Sequence, residues 1–350
     1  MHGEPTEELA HVIAQSGPQD ADPIPSGQTR GLPVGRAPLS SLGIPFGLSG
    51  LAGTWTMAGD TLGTPALIGD VLWFVALAAW TGVIGNYLLR SRNRRGGIRA
   101  DLDHPVQGAF ATLAPVSGML IGTHFAASTP LAGHILVVAC MGLAVVLGAR
   151  FVAGLAAGNR NIDAVHAGYL LPTVAAFLIL GQSATGACWT GLSVAGIGVG
   201  VLFWLLLGTI VLARMVFRPA LPAALVPTFA IFSAPPAVAG NAWFAFTGGR
   251  LDTIQYLLLG TFVLLIAVQA ALIGTYWRLP FTLGFWAFTF TVASSGTYAL
   301  HWLKLAGGPA QPFWGYLSLT LVTVIIGSIA GRSVNLLVRS RSSVSALARA

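Results

Sequence analysis

Charge is scarce in this chain. Only 18 basic and 11 acidic side chains are spread over 350 residues, 8% of the total. A soluble globular protein carries about 25% charged residues, so a water-facing surface cannot be built from so few. Cysteine is nearly absent too. Cys140 and Cys188 have no CxxC partner and no histidine cluster beside them, which gives neither a disulfide framework nor a metal site. Acidic residues are missing from the interiors of the apolar runs; Asp70, in about the first turn of the second run, comes nearest. Proton-driven pumps place carboxylates or histidines mid-membrane, and cation channels commonly ring their pores with Asp or Glu. Neither signature is present. There is no HExxH, no GxSxG and no pair of facing carboxylates, so no catalytic residue is assigned and an enzyme is not expected. No cofactor is implied.

What the chain does have is apolar length. It is 55% hydrophobic with a mean hydropathy of +0.76, the composition of an integral membrane protein with several spans. Residues 1–38 stand apart, with Glu4, Glu7, Glu8, Asp20 and Asp22 among scattered Pro and Gly. They lack the basic start and apolar core of a signal peptide and suggest a disordered cytoplasmic tail. Apolar runs of about 20 residues, enough to cross a ~30 Å hydrocarbon core, then fall near 43–58, 66–90, 106–125, 131–156, 168–187, 190–213, 223–246, 253–277, 281–302 and 313–338. Ten spans fill a 39–338 membrane domain, and 339–350 is left as a cytoplasmic tail.

The net charge of +7 fits this topology and does not call for nucleic acid. With both termini in the cytoplasm, sixteen arginines fall on the inner side and only Arg250 and Lys304 on the outer side, the asymmetry of the positive-inside rule. Most of the inner charge sits at Arg30, Arg36, the cluster Arg90, Arg92, Arg94, Arg95 and Arg99, and Arg339, Arg341 and Arg349. A neutral pore with basic mouths favours anions. Asp103 and His104 mark the start of the third span, with Asp103 as its possible cap.

Proline separates odd spans from even ones. Pro45, Pro115, Pro172, Pro227, Pro235 and Pro236 lie inside odd spans, whereas Pro65, Pro130 and Pro312 stand only at the entrances of even ones. Proline deletes a helix hydrogen bond and kinks the helix, and the freed carbonyl must face protein or a water-filled cavity. The alternation predicts five helical hairpins, with kinked odd helices inside and straighter even helices outside.

The ninth span carries Phe285-Trp286-Ala287-Phe288-Thr289-Phe290. At about 100° per residue, Phe288 and Phe290 point in opposed directions. The Phe290 face also holds Ala287, Ser294, Thr297 and His301, which are small or hydroxyl-bearing apart from the terminal histidine. This suits a narrow passage plugged at one level; packing of Phe290 in a helix interface is the alternative from the residues alone.

Several fragments occur together in order. Gly43-Ile44-Pro45-Phe46-Gly47 opens the first span, and His104-Pro105-Val106 leads to Phe110 and Pro115. Tyr169-Leu170-Leu171-Pro172-Thr173-Val174-Ala175-Ala176 and Gly198-Val199-Gly200 with Trp204 come next. Ser233-Ala234-Pro235-Pro236-Ala237-Val238-Ala239, Leu251-Asp252-Thr253 and the ninth-span string complete the set. By these fragments the chain resembles the tellurite-resistance/dicarboxylate transporter family, which includes bacterial tellurite-resistance proteins and plant guard-cell slow anion channels. The resemblance implies an all-α membrane fold, ten helices in five hairpins around a quasi-fivefold pore, one pore per subunit of a homotrimer. It also assigns the pore-blocking phenylalanine to Phe290.

Three positions depart from the tellurite-resistance pattern: Leu42, Phe177, and Gly208-Thr209. They bear on which ion passes. The pore-lining candidates are therefore Ala287, Ser294, Thr297, His301, Pro45, Phe110, Pro115, Pro172, Phe177, Pro227 and Pro235. The expected function is an anion channel or channel-like transporter of the inner membrane passing small inorganic anions; a C4-dicarboxylate, tellurite or sulfite carrier, proton-coupled or not, is the alternative.

Overall fold

The computed structural model describes residues 38–91, 97–158 and 161–347. The N-terminal tail, Arg92, Arg94, Arg95 and Arg160 lie outside the described residues, as do the side chains from Arg339 on. Among the described residues the fold is helical throughout, without a strand. Seven helices are long and apolar enough to cross a membrane, or eight if the pair 97–103 and 108–125, bent by 112°, counts as one span. The protein is a multi-pass membrane protein.

The helices in chain order are α1 (Gly43–Leu62), α2 (Ala66–Ser91), α3 (Gly97–Asp103), α4 (Leu113–Phe125), α5 (Pro130–Ala156) and α6 (Ala176–Gly186). They continue as α7 (Thr190–Phe217), α8 (Pro235–Thr247), α9 (Thr253–Ala271), α10 (Ile273–Trp277), α11 (Trp286–Ala306) and α12 (Gln311–Leu347). Helices lie within each of the ten predicted apolar runs, with shifted ends, but only seven or eight of them are long and apolar enough to count as spans. α1 runs one turn beyond residue 58, α11 reaches Ala306, and α12 continues past the expected boundary at 338. The eighth run is interrupted at Leu272 between α9 and α10, and α3 is a short helix that the apolar pattern did not mark.

Burial divides the helices. Within the spans, 83% of 167–186 and 72% of 226–247 is buried, against 11–33% of α2, α5, α7, α9 and α12. α1 and α4 bury more than half of their residues, and α11 buries nine of its 21. The five buried helices close on themselves: α1 packs on α4, α4 on α6, α6 on α8, α8 on α11, and α11 on α1. Each also packs against the exposed helix that follows it. α1 and α11 are absent from the set of strongly apolar helices because glycine and hydroxyl residues dilute them. That composition suits protein contact and a polar lumen better than lipid.

The prolines mark where winding changes. Each buried helix is entered through a tight 3₁₀ or widened π stretch: Leu39–Leu42, Gly108–Thr112, Ala167–Leu170 with Leu171–Ala175, Val226–Ser233 and Leu283–Phe285. Pro172 lies in the π turn, Pro227 in the 3₁₀ turn, and Pro45, Pro115 and Pro235 in the first turn of α1, α4 and α8. A proline is cheap there because its missing N–H would have had no partner within the α-helix. α11 has the same entry without an internal proline, so proline is not the sole cause of the break.

Local capping at the helix ends differs in one place from expectation. Asp103 does not cap α4; its carboxylate pairs with Arg150 of α5. His104 takes the capping role instead, with Nδ1 accepting from the N–H groups of Val106 and Gln107 at 3.1 Å. Asp252 caps α9 by accepting from Gln255 N at 3.0 Å, and Trp243 Nε1 donates to its other oxygen at 2.7 Å.

Candidate functional site

The site is built on the contact between α1 and α11. Glycines on one face of α1 let the two backbones approach. A methyl at Gly47 would collide with the Thr289 hydroxyl, and one at Gly50 would stand 2.9 Å from the Phe290 ring. Phe46 is carried on the same stretch of α1. Its ring stacks on Phe290 with centroids 3.7 Å apart and planes 15° from parallel, and both rings are buried. Thr54 Oγ1 reaches the Ala293 carbonyl at 3.0 Å and Thr297 Oγ1 at 3.0 Å, fixing the register one turn farther along.

Beyond this aromatic pair lies a cavity of about 280 Å³ whose wall includes Phe290 itself. All five buried helices contribute to it. α1 supplies Ser49, Gly50, Gly53, Thr56, Met57 and Asp60; α4 supplies Leu120, Thr123 and His124; α6 supplies Ile179, Gln182 and Ser183. α8 adds Val238 and Asn241, α11 adds Phe290, Ser294, Thr297 and His301, and Trp73 reaches in from α2. Among the described residues, no lysine or arginine belongs to this lining.

Of the predicted lining residues, Phe290, Ser294, Thr297 and His301 meet on this cavity, as their shared helical face required. Ala287, Pro45, Phe110, Pro115, Pro172, Phe177, Pro227 and Pro235 do not line it. They sit in the entry turns of the buried helices, N-terminal to the residues of the same helices that line the cavity. Phe110 stacks on His166 at 5.9 Å. Pro172 borders a separate cavity of about 350 Å³ beside Asp103 and Arg150. The Phe177 ring lies against Gly148 of α5.

Sequence reasoning missed Phe46, Gln182, Ser183 and Asn241. Phe46 had a signal in the glycines that flank it. Asn241 and Gln182 had one too, as amides inside apolar helices, where polar groups are costly. It also placed Asp60 outside the first span. Because α1 extends to Leu62, Asp60 lines the cavity, and Asp70 approaches His124 at 3.8 Å. Basic mouths are thus not what the structure shows at this end. His124 stacks on Trp73 at 4.6 Å and His301 on Phe244 at 4.9 Å.

A membrane protein whose buried helices surround a chamber lined by hydroxyls, amides and one carboxylate, and stopped by stacked aromatics, is built as a channel or channel-like transporter. The chain belongs to the SLAC1 family of voltage-dependent anion channels, whose model matches residues 36–336. It is similar to the tellurite resistance protein TehA homolog of Haemophilus influenzae, with 26% identity over 263 residues that cover 75% of this chain and 80% of that protein. It is also similar to the S-type anion channel SLAH2 of Arabidopsis thaliana, with 24% identity over 315 residues, 85% of this chain and 59% of that one.

Proposed function

We propose that the protein passes small anions through a pore enclosed by the five buried helices, with Phe290 as its gate. The observation that carries this reading is the Phe46–Phe290 stack at the end of a chamber lined by all five. Stacked rings offer nothing to replace an ion's hydration shell, so they form a hydrophobic barrier. In this reading the chain forms ten spans as five hairpins, with the buried helices as an inner ring and the prolines of their entry turns lining the inner half. Family resemblance adds a homotrimer in the inner membrane with one pore per subunit. Native mass measurement in mild detergent should give three subunits of 36.2 kDa; a stable dimer would count against it.

Currents in planar bilayers test the function. Reversal potentials should follow the gradient of the anion and ignore an imposed pH gradient. Potentials that move with pH would instead support the proton-coupled carrier of dicarboxylates, tellurite or sulfite. The absence of a cation in the chamber wall favours the channel, because a dianion would be desolvated there without a counter-charge.

Orientation is testable with cysteine labelling. Cys188 is free and exposed in the turn between α6 and α7, and the ten-span reading places it outside. A membrane-impermeant maleimide should label it on intact cells. In a Cys188→Ala background, Arg99→Cys should be labelled only after permeabilisation. Labelling of both positions from outside would end the ten-span reading.

A further inference from the structure

The chamber wall is not uniform in what it offers a ligand. Five of its hydroxyls spend their proton on their own helix: Ser49 on Pro45 O at 2.8 Å, Thr56 on Ala52 O at 3.0 Å, Thr123 on Met119 O at 2.8 Å, Ser294 on Thr291 O at 3.1 Å and Thr297 on Ala293 O at 3.1 Å. A hydroxyl whose proton is committed offers only oxygen lone pairs. Three groups differ. Ser183 Oγ is buried and unpartnered among the described residues, so its proton is uncommitted. Its neighbour Gln182 also lines the chamber, and its side chain makes no hydrogen bond among the described residues. Asn241 gives Nδ2 to the Ser294 carbonyl at 3.0 Å, which fixes the amide and leaves buried Oδ1 without a donor.

We propose that the chamber holds a binding site, formed by Gln182, Ser183 and Asn241, for a monovalent oxyanion that retains one acidic proton. This rests on the reading of the chamber as part of an anion path. The donors, Gln182 and Ser183, are adjacent on α6. The acceptors come from Asn241 on α8 and from the back-bonded hydroxyls. An anion that carries an O–H accepts from the first group and donates to the second, so Asn241 Oδ1 gains the partner it lacks. A halide or nitrate satisfies only the donors and sets its negative charge against oxygen lone pairs. Unpaired buried polar groups discriminate strongly between ligands that do and do not complete them. A dianion fares worse still, with Asp60 in the wall and no lysine or arginine to offset a second charge.

Bicarbonate and nitrate are suitable probes, since both are planar, trigonal and monovalent and only bicarbonate carries a proton. Purified wild-type protein is titrated with each at pH 8 and constant ionic strength, and binding is read from the rise in melting temperature. Bicarbonate should bind about fivefold more tightly than nitrate, the size of one net neutral hydrogen bond. Asn241→Val should bring the two anions to equal affinity, and Ser183→Ala should weaken both. Equal affinity in the wild type overturns the proposal. So does a difference that survives in Asn241→Val, which would be a general salt effect. If Asn241→Val does not fold, Ser183→Ala decides alone, and unchanged bicarbonate affinity there overturns the site. The titration needs no ion flow, so failure of Phe290 as a gate would be seen separately, in the currents.

Discussion

Phe290→Ala should raise anion current roughly tenfold or more over wild type, the effect of removing about 1.4 kcal/mol of barrier. The ring is buried and stacked on Phe46, and it walls the chamber that its removal would open at that end. Alanine keeps helix propensity high, so α11 persists. Truncating a packed core phenylalanine costs about 3–5 kcal/mol; the loss here should be smaller, because one side of the ring already borders the chamber. Phe288 supplies the contrast. It lies on the opposite face of α11, edge-on to Tyr276 with centroids 4.7 Å apart, so Phe288→Ala should lower thermal stability and leave current unchanged. If Phe290→Ala only destabilises while the current stays at the wild-type level, the ring is packing and the gate is lost. A Phe46→Ala, Phe290→Ala pair should conduct more than either single variant, since each ring covers the other.

Gly47→Ala should destabilise the protein in spite of favouring the helix. In an exposed helix the change gains about 1 kcal/mol. In α1 the new methyl collides with the Thr289 hydroxyl and stands 2.6 Å from Thr289 Cβ. Thr289 cannot easily turn away, because it is fully buried and its hydroxyl donates to the Trp286 carbonyl at 2.7 Å. Overpacking of this kind costs about 1–3 kcal/mol, and α1 and α11 must part to relieve it. The same separation would unstack Phe46 from Phe290, so raised basal current should accompany the fall in melting temperature. Gly53→Ala is the control: the nearest atom to its new methyl is the Trp73 ring at 3.9 Å, and it should be neutral or stabilising. Equal melting temperatures for the two variants would show that α1 and α11 do not depend on this close approach.

Much of the fold is legible in the sequence because leaving water is decided locally. Twenty apolar residues must span or be buried whatever their neighbours do, so α2, α5, α7 and α9 announce themselves. The prolines of the entry turns were legible for a similar reason, since a missing N–H acts on its own helix. The face of α11 that carries Phe290, Ser294, Thr297 and His301 followed from helical period alone.

The partner stacked on Phe290 did not. In a soluble protein, polarity tells the outer face of a helix from the inner one. In a membrane, lipid is as apolar as a packed interior, so the sequence of α1 does not say which of its faces meets α11. The fit of Gly47 to Thr289, the stack of Phe46 on Phe290 and the arrival of Asp60, Gln182 and Asn241 at one chamber depend on interhelical register. That register is set by side chains distant in the chain, such as Thr54 against Ala293 and Asn241 against Ser294. The amino-acid sequence by itself determined that this is a helical membrane protein, where its long apolar helices lie and which face holds Phe290. Only the tertiary structure decided what Phe290 stacks against and what lines the chamber beside it, because those contacts join residues that no local pattern relates.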